Sequence, residues 1–167
     1  MANSHKFQRK IEITYEELMK ANFENVVRLV RLMEKEIGVE KAHYILLRAR
    51  VEGDLEGVKA QMNDLKPFSV FNDFKQFMKD LHENEFTCNL FTINYPIDDE
   101  KEVEFRTTEC IMAKVFKDLN ASDIGYIMCC QPDYESTPAY SPNVYLKRTK
   151  SLMKGDDYCD TKYCWKK

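Results

Sequence analysis

Phe86-Thr-Cys-Asn-Leu-Phe-Thr-Ile-Asn-Tyr95 and Val103-Glu-Phe-Arg-Thr-Thr108 are the segments on which the fold turns. In both, aromatic and β-branched residues alternate with polar ones, the two-residue period of a strand with one buried face. The acidic turn from Pro96 to Lys101 joins them, so the two strands are expected to run antiparallel. Further on, Val144 to Leu152 predicts a third strand and Tyr158 to Trp165 a fourth, with Gly155-Asp156-Asp157 turning the chain between them. Along that last strand Cys159, Thr161, Tyr163 and Trp165 share one face, and its aromatic residues mark it as the core side.

Outside these strands the apolar period lengthens to that of helices. Thr14-Tyr15-Glu16-Glu17 has the form of a capping box, in which the Thr14 hydroxyl takes the Glu17 amide and the Glu17 carboxylate reaches back to the Thr14 amide. Behind it Leu18, Val26, Leu29, Val30, Met33 and Ile37 recur at helical spacing, and Gly38 ends the helix. A second helical pattern starts near Glu40, with Gly53 and Gly57 as points where it is expected to bend or break. Pro67 closes this region, and Ser69 is placed to cap a third helix bearing Phe71, Phe74, Phe77, Met78 and Leu81. Between the strands, a short helix follows Cys110, Ser122 is placed to cap another, and Pro132, Pro138 and Pro142 mark a loop. The expected fold is α+β: a helical N-terminal half packed on a four-stranded antiparallel sheet with short intervening helices. It is read as one domain over residues 1–167, with 1–13 a flexible tail.

Composition narrows the function classes. At 44% hydrophobic and 32% charged residues the chain is too apolar for a disordered protein. With 28 acidic and 25 basic residues it lacks the basic surplus of a dedicated nucleic-acid binder. No apolar run approaches the ~20 residues of a membrane span, and Met1 to Lys10 is polar and basic, unlike an export leader. A cytoplasmic protein with a small-molecule partner and no membrane partner is expected.

The six cysteines are Cys88, Cys110, Cys129, Cys130, Cys159 and Cys164. In a reducing compartment a disulfide framework is the weaker reading, and none of them forms a CxxC pair of the zinc-ribbon or thioredoxin kind. Cys110 follows Glu109 where the second strand hands over to a helix. The field of a helix N-terminus lowers a thiol pKa, which makes Cys110 the candidate thiolate; the alternative is a thiol packed under the sheet. In Cys129-Cys130-Gln131-Pro132-Asp133, Asp133 serves as base, orienting group or metal ligand, or else simply caps the next turn. Cys159 stands at the mouth of the last hairpin beside Asp156, Asp157 and Asp160. No histidine accompanies these groups: His5 lies in the tail, His43 reads as a helix-face residue and His82 ends a helix.

Glu109-Cys110, Cys130-x-x-Asp133, Tyr140-Ser-Pro-Asn143, Leu146-Lys-Arg148-Thr149-Lys150 and Gly155-Asp156-Asp157-x-Cys159-Asp160 follow one another in this order. The series resembles the 2-aminothiazoline-4-carboxylate hydrolase family over about residues 105–165. It departs at Thr161, where an aromatic residue is expected and core packing is put in question, and at Ser141, where Asn is expected. More distantly the closing hairpin is similar to ligand-binding domains of the 4-vinyl-reductase type, which place a ligand pocket between a helical layer and an antiparallel sheet. The resemblance implies hydrolytic opening of a small cyclic amidine that carries a carboxylate. It maps Cys110, Cys130, Asp133, Arg148, Asp157 and Cys159 onto family motif positions. Cys110 is then the nucleophile candidate, Asp133 or Asp157 the base, and Arg148 the carboxylate anchor, the alternative for Arg148 being an exposed strand arginine within Lys147-Arg148-Thr149-Lys150. The same Cys110, Cys130, Asp133 and Cys159 also form a possible zinc set, and the alternative to an enzyme is a non-catalytic small-molecule- or zinc-binding module.

Overall fold

The computed structural model describes residues 10–62 and 66–166. Residues 1–9 of the expected tail, His5 among them, lie outside the described residues. The elements are α1 (Tyr15–Ile37), α2 (Val39–Met62), α3 (Phe71–His82), α4 (Glu85–Cys88), β1 (Phe91–Asn94), β2 (Glu102–Cys110), α5 (Ile111–Asp118), α6 (Ser122–Cys129), α7 (Asp133–Tyr140), β3 (Val144–Lys147), a 3₁₀ turn (Leu152–Lys154) and β4 (Cys159–Trp165). The strands form one antiparallel sheet in the order β1-β2-β4-β3. The fold is α+β with its long helices at the N-terminal end, as the alternation and helical spacing predict.

The start of α1 is the expected capping box. Thr14 Oγ1 accepts the Glu17 N–H at 3.1 Å, and the Glu17 carboxylate accepts the Thr14 N–H at 2.8 Å. Gly38 ends the helix at φ 86°, in the left-handed half of the map that favours glycine. Expectation fails at α2, which runs unbroken through Gly53 and Gly57 because its packing on α1, α6 and α7 outweighs two poor helix formers. A Cβ at either glycine would meet nothing within 4 Å. Gly53→Ala and Gly57→Ala are therefore expected to stabilise the protein by about 1 kcal/mol each. Urea denaturation of each variant reads the shift, and a lowered midpoint would show that the glycine backbone is needed here.

Four further boundaries differ from the sequence reading. Phe86 to Cys88 belongs to α4 rather than to a strand: Asn84 caps this turn by accepting the Thr87 N–H, and pairing begins only at Phe91. Of the prolines expected in a loop, only Pro142 lies in one, the turn before β3. Pro132 occupies the N-cap of α7, where no N–H is needed, and Pro138 comes after the first turn is closed by the Ser136 N–H on the Pro132 carbonyl. The third strand stops at Lys147, and residues 148–151 leave the sheet before the 3₁₀ turn. Neither Ser69 nor Ser122 caps its helix; Val70 and Ala121 hold those positions without a side-chain bond.

Two cores result. In one, Val27 and Val30 of α1 meet Phe116, Ile124, Met128 and Met153. In the other, Phe71, Phe74 and Met78 of α3 cover Val103, Phe105, Leu146 and Tyr163 of the sheet. The first is helix on helix and the second helix on sheet, so a seam is left where α3, the sheet and the α5–α7 segment meet.

Candidate functional site

A cavity of about 190 Å³ occupies that seam. The sheet supplies Phe105, Thr107, Cys159, Thr161 and Tyr163, whose alternation puts them on one face of β2 and β4. Cys110 enters from the junction of β2 and α5, Cys129, Cys130 and Asp133 from the α6–α7 corner, Arg148 from the end of β3 and His82 from the end of α3.

Arg148 organises the polar end. Its side chain is only 8% exposed, far from a solvent-facing strand arginine. Nη2 donates to Asp133 Oδ2 at 2.6 Å, Nη1 to the Cys130 carbonyl at 2.8 Å and Nε to Thr161 Oγ1 at 2.9 Å. Burial works to discharge the guanidinium, but the Asp133 carboxylate outweighs burial and holds its pKa above the ordinary arginine value. Thr161, where an aromatic was expected, thus serves the site rather than weakening the core. Ser141, in place of Asn, is fully buried and donates to the Phe68 carbonyl at 2.7 Å.

Cys110 is not the ionised group that a helix start predicts. Cys110 does cap α5, with Sγ accepting the Ala113 N–H at 3.4 Å, and that contact favours thiolate. Burial acts more strongly and pushes its pKa above the ordinary thiol value. Burial likewise pushes Cys130 up to about 12, against the pull of Arg148, and raises Cys129 beyond that. These three groups are neutral S–H at pH 7. Cys159 Sγ accepts the Leu152 N–H at 3.2 Å.

The C-terminal motifs have a structural use as well. Asp160 accepts the Thr149 and Lys150 N–H groups at 2.8 and 2.6 Å, and Asp156 accepts the Ser151 N–H at 2.7 Å. Together with Cys159 they pin the segment after β3 to the start of β4 and so aim Arg148 inward. Gly155, at φ 99°, gives the left-handed turn between them. Asp157 stands apart from the other candidates. It does not line the cavity; its carboxylate is 74% exposed and pairs with Lys150 at 3.1 Å.

The possible zinc set does not fit as arranged. Among the described residues the one group whose ligand atoms all lie within 4.8 Å of one another is Glu34, His43 and Asp123, not Cys110, Cys130, Asp133 and Cys159. A tetrahedral thiolate cage needs closer donors, and here Asp133 is held by Arg148. The Glu34–His43–Asp123 group is itself closed by Arg31, which bonds Glu34 at 2.9 Å and Asp123 at 2.7 Å. Sequence reasoning missed His82. The signal was present: Phe71, Phe74, Met78 and His82 fall on one stripe of α3, so the last residue of the helix is half-buried along its apolar face.

The sequence model of the L-2-amino-thiazoline-4-carboxylic acid hydrolase family matches residues 15–163. The chain belongs to this family. Membership takes in the helical first half, from α1 onward, as well as the C-terminal motifs. No curated protein sequence matches the hydrolase-family chain. Fifteen chains of solved structures resemble it. One is the phenol-responsive sensory domain of the transcription activator PoxR, in a crystal structure with phenol, at a TM-score of 0.56 and 13% identity. That likeness, over 95% of this chain and 77% of the other, is one of fold. No helix among the described residues of this family member is long and apolar enough to cross a membrane.

Proposed function

We propose that the seam cavity binds a small cyclic amidine bearing a carboxylate and opens its ring by hydrolysis. The observation that carries this reading is the Arg148–Asp133 pair at the wall of a cavity smaller than the ~300–1,000 Å³ of sites for drug-sized ligands. Such a space suits a single ring. The pair sets a cationic fork beside an anionic carboxylate, complementary to a ligand that holds carboxylate and amidinium close together. Nη1 and Nη2 each retain one further N–H for the ligand after their protein bonds are made.

The candidate residues then divide by role. Arg148 and Asp133 bind and orient, while Cys110, Cys130 and Cys159 form a weakly polar wall. Water is the nucleophile, because burial keeps Cys110 and Cys130 protonated. Its oxygen adds to the ring carbon between nitrogen and sulfur, the carbon–sulfur bond breaks, and the product is the substrate plus one water, with a free thiol. The raised pKa values of Cys110, Cys129 and Cys130 favour a second reading, a binding module for a single-ring ligand. The phenol bound by the sensory domain is the ligand class to try.

Incubation with L-2-amino-thiazoline-4-carboxylate, followed by mass spectrometry, tests the first reading. The wild-type protein is expected to yield the ring-opened product. Cys110→Ser is expected to keep its rate within about tenfold, since no covalent step passes through that sulfur. A substrate adduct on Cys110, or complete loss in the serine variant, restores the cysteine nucleophile. Binding without turnover leaves the module reading.

A further inference from the structure

We propose that His82 is the proton acceptor of this cavity, taking a proton from the attacking water and returning it to the departing sulfur; the assignment rests on the hydrolytic reading above. His82 ends the buried stripe of α3, its ring 5.0 Å from that of Phe105 between centroids. Nδ1 lies 2.7 Å from the Met78 carbonyl. A carbonyl only accepts, so Nδ1 carries the hydrogen and Nε2 is the bare nitrogen of the neutral ring. No described residue bonds Nε2. Among the described residues no fully buried side-chain nitrogen lacks a partner. Nε2 is therefore not sealed in protein, and His82 lines the cavity.

The surroundings keep the ring neutral. Burial lowers its pKa, while the Met78 carbonyl and the Asp133 charge pull the other way and lose. Of the groups facing it, Tyr163 on β4 and Cys110, Cys129 and Cys130 on the α5–α7 side all have raised pKa values and carry no charge at neutral pH. Asp133 and Arg148 are paired with each other, and Cys159 at the start of β4 also lines the cavity. Tyr95, beyond Phe105, is pushed up to about 12 by burial, with the charge of Glu83, next to His82 in the chain, acting in the same direction.

The proton balance closes on this one nitrogen. As the water oxygen bonds to the ring carbon, its O–H bond breaks and Nε2 gains the proton. As the carbon–sulfur bond breaks, the imidazolium gives that proton to sulfur. The imidazole ends neutral, and one water is consumed.

Two substitutions separate this role from a structural one. Asn carries a donor where His has Nδ1, so His82→Asn keeps the bond to Met78 and removes only Nε2. Gln reaches toward the Nε2 position but holds no base. Hydrolysis of L-2-amino-thiazoline-4-carboxylate is measured against pH for the full chain and both variants. Both are expected to lose about 100-fold or more in kcat, with KM changed less than about threefold. The wild-type rate is expected to rise with pH through a midpoint below about 6.5, as Nε2 sheds its proton, and both variants to lack that rise. Wild-type kcat and pH profile in His82→Asn would overturn the assignment and leave His82 as an anchor for the end of α3. Should the Asn variant not fold, the Gln variant decides by the same measures. A wild-type protein that binds the compound without turnover at any pH overturns the hydrolytic reading itself, and the proton step with it.

Discussion

Gly125→Ala is expected to destabilise the protein by about 2–3 kcal/mol, although alanine is the better helix former by about 1 kcal/mol. Gly125 lies in the middle of α6, where the helix presses on the first core. A Cβ there would stand 2.5 Å from Cγ and 2.8 Å from Cβ of Phe116, and 2.7 Å from Sδ of Met153. The methionine sulfur is the far part of a flexible side chain and can yield. The Phe116 atoms cannot, since they lie at the root of a fully buried ring that also packs on Phe23 at 4.8 Å. The helix must therefore move, and α6 carries Cys129 and leads into Asp133. Urea denaturation with ligand titration reads both consequences. A midpoint equal to wild type would mean that α6 slides freely and that the core is not packed as described. Gly53→Ala and Gly57→Ala are the internal control, being the same substitution in a helix with open space.

Arg148→Met is expected to cost about 2–3 kcal/mol of stability, less than the ~3–5 kcal/mol for breaking a fully buried pair, because the Asp133 side chain is 36% exposed and water screens it. Methionine matches the length of the stem but offers no donors. The Asp133 carboxylate, the Cys130 carbonyl and Thr161 Oγ1 all lose their partner at once. Arg148→Lys keeps the charge yet cannot reach three acceptors in three directions, so it is expected to fall between Met and wild type. Equilibrium denaturation ranks the three proteins, and calorimetry with L-2-amino-thiazoline-4-carboxylate asks whether binding falls in the same order. Equal stability of Met and wild type would show that the pair is solvated and does not hold the cavity wall.

Much of the layout was legible because it is local. The capping box needs only Thr14 and Glu17 three residues apart, and both of its bonds are present. Alternation in Val103 to Thr108 and in Cys159 to Trp165 survives because Val103, Phe105, Thr161 and Tyr163 share one buried face, and a slip of one residue would take them off it, although Glu104 and Cys164 on the other face are buried as well. The same local reasoning misassigned Phe86 to Cys88, where alternation and a helix cap compete. It also misassigned the stretch from Pro132 to Tyr140, where proline at a helix start looks like proline in a loop. Ordered family motifs drew attention to Cys110, Cys130, Asp133, Arg148, Asp157 and Cys159.

Spacing along the chain could not say which of these residues meet. Asp157 sits beside Cys159 in sequence yet points to solvent, whereas Arg148 and His82 come from distant elements and line the same space. Charge state lay equally out of reach. A helix start lowers a thiol pKa through groups adjacent in the chain, but burial raises it through everything packed around the sulfur, and at Cys110 burial is the larger effect. Periodicity and capping are set by neighbours a few residues away, and so they are written in order along the chain. Desolvation, ion pairing and the meeting of Arg148, Asp133 and His82 in one cavity depend on residues brought together by folding, and they exist only in three dimensions.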